Sequence, residues 1–323
     1  MPELTTLLTR PVAEGFPTEY LLARLQGRRA GLFVAGQQAG VSRAPQVPVA
    51  YRQRPAGGEL LESPWERLWG EFRWAYGQMN ERLRAIFAPF FLWYELRTVI
   101  LCLRFRRGGE RERSARLLTR SLLAEPIRRA LTAESEPAVL LDALAEELAL
   151  LAEPLRTLGM VFRAEGEAAV EQRLVTLYLE RVAGPPFDPL IREFFRALID
   201  LRNLLSLAKT LRWRLTAPPL FVPGGSIGSE RLERARTGGG ENGADLLARS
   251  LPGMGQDSLS REDLESHLLG WLTRKVRTLG REPLGNGLVL DYLWRCSLEA
   301  RGLGHLARRP GASPELLPGS VSP

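Results

Sequence analysis

Glu95-Leu-Arg-Thr-Val-Ile-Leu-Cys-Leu-Arg104, Asp200-Leu-Arg-Asn-Leu-Leu-Ser-Leu-Ala-Lys209 and Glu299-Ala-Arg-Gly-Leu-Gly-His-Leu-Ala-Arg308 are versions of one string, about 100 residues apart. Each opens on an acid, with Arg two residues on, an aliphatic residue four on and a base nine on. Repetition in sequence predicts repetition in structure. The strings therefore predict three related helical subdomains, the plan of a structural adaptor rather than of a chain built around one catalytic cleft.

On a helix, at about 100° per residue, the residues four, seven and eight after the acid fall within roughly 80° of it. They are Val99, Cys102 and Leu103, then Leu204, Leu207 and Ala208, then Leu303, Leu306 and Ala307. The acids Glu95, Asp200 and Glu299 thus sit inside the apolar arc, where a carboxylate is either protonated or held by a partner. The bases share a stripe on the opposite side: Arg97 with Arg104, Arg202 with Lys209, and Arg301 with Arg308. Two readings remain open. Either each acid satisfies a neighbouring amide or base where helices cross and the basic stripes are solvated, or the three helices surround a shared axis and present these side chains to a partner. In the third copy Gly302 and Gly304 weaken the helix by ~1 kcal/mol each relative to alanine.

Working outward, Tyr20 to Leu32 has helical spacing, and Ser63, Pro64 and Glu66 form an N-cap, first-turn proline and capping-box set that opens a helical pattern running to Phe105. Trp65, Trp69, Phe72 and Tyr76 recur at core spacing, while Trp74 falls off that stripe and predicts contact with a neighbouring element. Further helices are expected over Ser114–Leu131, from Val139 with a stop or kink at Pro154, and over Glu167–Val182, Pro189–Leu215, Ser229–Arg236, Ser260–Leu279 and Leu288–Arg309. Gln37–Leu60 and much of Ala217–Gly243 read as loops, and the tail beyond Pro310 as disordered. Gly108-Gly109 after Glu95 and Gly224-Gly225 after Asp200 look like a second repeated feature. With no sustained period-2 alternation, the fold class is all-α, divided into residues 1–120 (first repeat with an N-terminal segment), 121–235 (second) and 236–323 (third, with the tail).

Composition narrows the function classes. A net charge of +7, with only Lys209 and Lys275 among 44 basic residues, suits acidic protein, lipid headgroups or nucleic acid, but equally suits solvated faces paired with the 37 acids. Cys102 and Cys296 lie among large apolar residues and read as buried free thiols in a reducing compartment. The start of the chain shows no signal-peptide pattern. The apolar run Ala85–Leu103 is interrupted by Glu95 and Arg97, which predicts a core helix rather than a membrane span. There is no GxxxxGK[ST] loop and no GxSxG elbow, and Gly285-Asn-Gly287 lacks a third glycine. His267 and His305 are the only histidines and stand in no metal-ligand spacing. No catalytic, cofactor-binding or metal residue is assigned.

The acid–x–x–Asn–Leu pattern of Asp200-Leu-Arg-Asn203-Leu204, the Phe221-Val-Pro-Gly-Gly-Ser-Ile turn and Tyr292-Leu-Trp-Arg-Cys-Ser-Leu-Glu299-Ala-Arg-Gly302-Leu303 resemble the C-type stalk component of archaeal and bacterial V/A-type rotary ATPases, the relative of the d-type component of eukaryotic vacuolar ATPases. The resemblance runs from about Tyr20 to Arg309; Thr98 and Gly302 depart from it, standing where the family has Asn, and Gln37–Leu60 and Gly238–Gly243 look like insertions. It implies a non-catalytic, funnel-shaped socket of three helical lobes around a pseudo-threefold axis. That socket would lie peripherally on the cytoplasmic face of the membrane, coupling the central rotor shaft to the proteolipid ring during proton or sodium transport. The candidate interface residues are then Glu95, Arg97, Arg104, Asp200, Arg202, Asn203, Lys209, Glu299, Arg301 and Arg308. The competing reading is a basic helical-repeat protein binding nucleic acid through the arginines and aromatics of Glu66–Arg113.

Overall fold

The computed structural model describes residues 2–32, 63–133, 136–216, 219–238, 246, 249–250, 261–282 and 285–307. The chain is all-helical there, with no strand among the described residues and one isolated bridge between Leu8 and Leu123. In chain order the helices are α1 (Pro2–Thr5), α2 (Thr18–Arg29), α3 (Pro64–Gln78), α4 (Glu81–Arg107) and α5 (Arg111–Arg120). Next come α6 (Glu125–Thr132), α7 (Pro137–Ala143), α8 (Ala145–Leu151), α9 (Leu158–Glu165) and α10 (Glu167–Val182). The last four are α11 (Pro189–Trp213), α12 (Ser229–Thr237), α13 (Arg261–Leu279) and α14 (Gly287–Ala307). The Gln37–Leu60 stretch, most of Gly238–Gly243, the Ser260 cap, Arg308 and the tail lie outside the described residues.

Local signals set many of the boundaries. At the start of α3 the Ser63 N–H donates to Glu66 at 2.9 Å, and Ser63 Oγ accepts from the Trp65 N–H at 3.3 Å. Pro64 and Pro189 stand in the first turns of α3 and α11, where a missing N–H costs nothing. The helix expected over Ser63–Phe105 is instead two. Met79 is extended between α3 and α4, and the incoming segment of chain occupies the break: the Phe16 N–H donates to the Gln78 carbonyl at 3.0 Å. Gly15 (φ +89°) lies so close that a Cβ there would be 2.1 Å from the Met79 oxygen. The pattern over Ser114–Leu131 is also two helices, α5 and α6, because Ser121 is extended and Leu122 gives its N–H to a side chain of α4. The helix expected from Val139 is cut at Leu144. Extended Ala152 then separates α8 from a 3-10 turn over Glu153–Thr157 that contains Pro154.

The chain divides into two compact units, residues 1–10 with 82–279 and residues 11–81 with 280–323. The first is centred on α4. Its 18-residue apolar window is long and apolar enough to cross a membrane, yet 83% of it is buried, so it serves as a core helix. Phe90 packs on Phe194 at 5.6 Å between ring centres, and Trp93 stacks on Tyr178 at 6.4 Å. The Tyr178 hydroxyl donates to the Pro89 carbonyl at 2.5 Å. Completely burying such side chains contributes roughly 1.5–3 kcal/mol each. A second cluster joins Leu204 and Leu207 of α11 to Leu232 of α12 and Leu268 of α13.

In the other unit α14 packs on α3 and α2, so helices from both ends of the chain share one core. Trp69, Phe72 and Tyr76 are buried there as their spacing predicts, and Trp65 is half-buried. Off-stripe Trp74 meets Tyr292 of α14 edge-on and carries the Arg28 guanidinium 4.1 Å from its ring centre. Helix α14 continues through Gly302 and Gly304 to Ala307, its propensity deficit offset by packing on α3.

Candidate functional site

The three repeat acids lie on α4, α11 and α14 and are buried: Glu95 and Asp200 are 1% exposed and Glu299 is 4% exposed. Glu95 Oε2 accepts from the Ser121 hydroxyl at 2.8 Å, and Oε1 accepts from the Leu122 N–H. Asp200 Oδ2 accepts from the Ser226 hydroxyl, and Oδ1 accepts from the Ile227 N–H at 3.0 Å. The serine is 26 residues after the acid and the amide 27 residues after it in both cases. One clasp is therefore built twice. A carboxylate suits it because two oxygens can take a hydroxyl and a backbone N–H together.

The two copies differ in a compensating way. Aspartate is one methylene shorter than glutamate, so the second turn must come closer to its helix. It does so at Gly225, where an added Cβ would stand 2.4 Å from Asp200 Oδ1, and the preceding Gly224 has φ +91°. The corresponding position before Ser121 is Arg120. Asn203 fixes the same turn from behind. Its amide nitrogen donates to the Val222 carbonyl and its oxygen accepts from the Val222 N–H, both at 2.8 Å. Thr98, at the matching place on α4, offers one hydroxyl oxygen where Asn203 offers a separate N–H donor and carbonyl acceptor.

In the first clasp the held segment is gripped from its other side as well. The Thr9 N–H donates to the Leu122 carbonyl at 2.7 Å, and the Ala124 N–H donates to the Leu7 carbonyl at 2.9 Å. Glu95 also lines a small cavity shared with Leu92, Leu96, Val99, Leu123, Ile127 and Glu147. Burial pushes the Glu95 carboxyl up to about 7, against the Leu122 and Ser121 hydrogen bonds and the attraction of Arg128. Burial raises Asp200 too, against its bonds from Ser226 and Ile227 and the attraction of Lys275. Glu299 is answered differently, with Arg67 of α3 at 3.8 Å. Each acid nonetheless faces the approach to, or first turns of, a helix: α6, α12 and α3.

The basic positions have mixed fates. Arg104 is committed inside the chain, to Glu167 at 3.1 Å and Glu171 at 2.5 Å on α10. Arg97 and Lys209 are half-buried and also interact within the chain. Arg202 is half-buried without a partner among the described residues, and burial alone lowers its pKa. Arg301 is half-buried with its Nε sealed from solvent and unbonded. Cys102 and Cys296 are buried free thiols, and desolvation raises Cys102 to about 11.

The glycine pairs are not equivalent: Gly224-Gly225 wraps Asp200, while Gly108-Gly109 only turns the chain between α4 and α5. The true counterparts, Ser121 and Ser226, were reachable by carrying the repeat alignment 26 residues past each acid. Also unforeseen was Asp291, buried under Arg29 at 3.0 Å and Arg295 at 2.8 Å; only the second partner has a local signal, an i,i+4 spacing. Tyr292 donates to Glu71 at 2.6 Å, beside Arg28. Among the described residues no group of three His, Cys, Asp or Glu side chains is placed to hold a metal ion.

Carboxylates spent on holding turns against long helices define a helical scaffold whose polar interior is structural. A family model described as ATP synthase (C/AC39) subunit matches residues 59–309, more than three-quarters of the chain, and the chain belongs to that family. Its members are non-catalytic structural subunits of V/A-type rotary ATPases. The match leaves Tyr20–Gly58, part of the stretch covered by the resemblance, outside it. No match was found among curated proteins.

Proposed function

We propose that the chain is the central-stalk socket of a rotary ATPase. In this reading three helical lobes, corresponding to residues 1–120, 121–235 and 236–323, form a funnel about a pseudo-threefold axis. The socket sits peripherally on the cytoplasmic face of the proteolipid ring, receives the foot of the rotor shaft and passes torque between them during proton or sodium transport. The observation that carries the reading is the duplicated clasp, with donors 26 and 27 residues beyond both Glu95 and Asp200. Such a repeat supports a body of related lobes, and membership in the family supplies the rotary complex around it.

The nucleic-acid reading draws less support. The aromatics Trp69, Phe72, Tyr76, Phe90 and Phe91 are core residues, not stacking platforms. Arginines of the same stretch are engaged within the chain: Arg67 on Glu299, Arg104 and Arg107 on Glu167, and Arg106 on the Leu131 carbonyl.

A pull-down from detergent-solubilised membranes tests the proposal. The tagged chain is expected to bring down proteolipid and a coiled-coil shaft subunit. Membranes lacking the chain should keep ATP hydrolysis in the detached head and lose ATP-driven ion uptake. Recovery of RNA or DNA in a salt-sensitive complex, without proteolipid, refutes the socket.

A further inference from the structure

Arginines in this chain commonly meet a carboxylate of the same chain. Arg104 and Arg107 share Glu167, Arg29 and Arg295 share Asp291, and Arg67 reaches Glu299. Half-buried Arg192, Arg202, Arg277 and Arg301 break that habit among the described residues, and Arg202 and Arg301 are the two that belong to the repeated string. Both stand two residues after a repeat acid, on α11 and α14 respectively, and both are half-buried. Neither has a hydrogen-bond or ion-pair partner among the described residues, and the Nε of Arg301 is sealed from solvent as well. The first copy is different, since Arg97 does interact within the chain.

A guanidinium does not shed its charge to relieve burial, so a partly desolvated, unpaired fork is a standing cost to the isolated fold. A carboxylate arriving from outside recovers that cost. The planar fork accepts it in two parallel charge-assisted bonds, and part of the desolvation has already occurred. We propose that Arg202 and Arg301, each within its own unit, are docking points for Asp or Glu side chains of a partner subunit in the rotary assembly. The inference rests on the assembly proposed above. A protein partner fits better than a lipid surface. Both arginines are partly sunk into the bodies of long helices, where a projecting side chain reaches and a flat headgroup layer does not.

The test uses the full chain with Arg202→Met and Arg301→Met, singly and together. Each is examined by denaturation of the free protein and by binding to solubilised complex stripped of this subunit. Methionine keeps the apolar stem and removes the charge. The expected result is an unchanged or raised denaturation midpoint with Kd weakened at least tenfold per substitution, and only partial recovery with Arg202→Lys. A lowered midpoint with unchanged Kd shows that the arginines serve the fold and overturns the inference. Equal binding of wild type and variants at equal stability overturns it too. Loss in the variants of binding to inorganic phosphate or to anionic vesicles, with binding to the complex intact, assigns the sites to phosphate instead. If the wild type itself fails to bind the stripped complex, the socket reading falls and takes this inference with it.

Discussion

Replacing Glu95 with glutamine should stabilise the protein at pH 8 and leave it nearly level with wild type at pH 5. Glu95 is 1% exposed and its carboxyl is raised from the usual 4.5 to about 7, chiefly by burial. The folded chain therefore holds this proton more tightly than the unfolded chain does. Below pH 4.5 both states are protonated and the contribution is complete. As pH rises through 7 the folded state must carry a buried charge, and stability falls across that window. At about 1.4 kcal/mol per tenfold change in proton affinity, the loss is about 3 kcal/mol.

Glutamine has the same shape and never ionises. Its oxygen can keep the Leu122 N–H, and its amide can donate to Ser121 Oγ, which already accepts from the Leu123 N–H at 3.0 Å. The Ser121 hydroxyl then loses its acceptor, at a cost of about 1 kcal/mol. Glu95→Gln should thus fall short of wild type by about 1 kcal/mol only well below pH 4.5, be nearly level with it at pH 5, where wild type has already lost most of that margin, and be about 2 kcal/mol more stable at pH 8. Guanidinium denaturation of both proteins at pH 5, 6, 7 and 8 reads this directly, because every other titrating group cancels in the difference. A difference that stays constant with pH, or that favours wild type more at pH 8 than at pH 5, refutes the argument.

Two glycine-to-alanine changes should act in opposite directions. Gly225→Ala drives a Cβ to 2.4 Å from Asp200 Oδ1 and 3.1 Å from Ile199 Cγ2, so it should lift the turn off its clasp and cost roughly 2–3 kcal/mol. Gly70→Ala, in the middle of α3 with nothing within 4 Å of the new atom, should raise stability by about 0.5–1 kcal/mol. Thermal melts of the two variants decide the point. Asn203→Ala strands both the N–H and the C=O of Val222 and should cost about 2–4 kcal/mol, with faster amide exchange at Val222 seen by hydrogen-exchange mass spectrometry.

Which features the sequence disclosed follows from the range of the interaction behind each. Helix α10 was legible end to end because Glu167–Val182 lies between Gly166 and Gly184, and the start of α3 was legible because its cap spans four residues. Burial of the three acids was legible from helical phase alone. The breaks at Met79 and at Ser121–Ala124 were not, since distant groups make them: the Gly15–Phe16 segment in one case and Glu95 in the other. Ion pairs were least legible. Arg104 finds Glu167 at a separation of 63 residues, and Arg29 finds Asp291 at 262, distances at which spacing carries no signal. The Ser121–Ser226 equivalence falls between these cases. It was encoded as a fixed offset from the acids but masked by a nearer pair of glycines.

A carboxylate at these positions does something that an aliphatic side chain cannot. Apolar contacts tolerate sliding, because the stabilisation follows area and has no direction. A carboxylate that holds one hydroxyl and one N–H fixes a segment to within the tolerance of two hydrogen bonds. In α4 and α11 the grip falls near mid-helix, and the segment gripped leads directly into the next helix, α6 or α12. The buried acid thus pins a later segment of the chain to a long helix in fixed register, the approach to α6 on α4 and the approach to α12 on α11. The cost at Glu95 is a stability that declines toward neutral pH, set against a joint that does not slip. Selection for stability alone would favour replacing such an acid with a hydrocarbon. A joint of this kind on two helices, with Asp200 matched to Gly225 and Glu95 to Arg120, suits a part that holds its shape under load, which is the physical requirement that torque transfer places on the proposed socket.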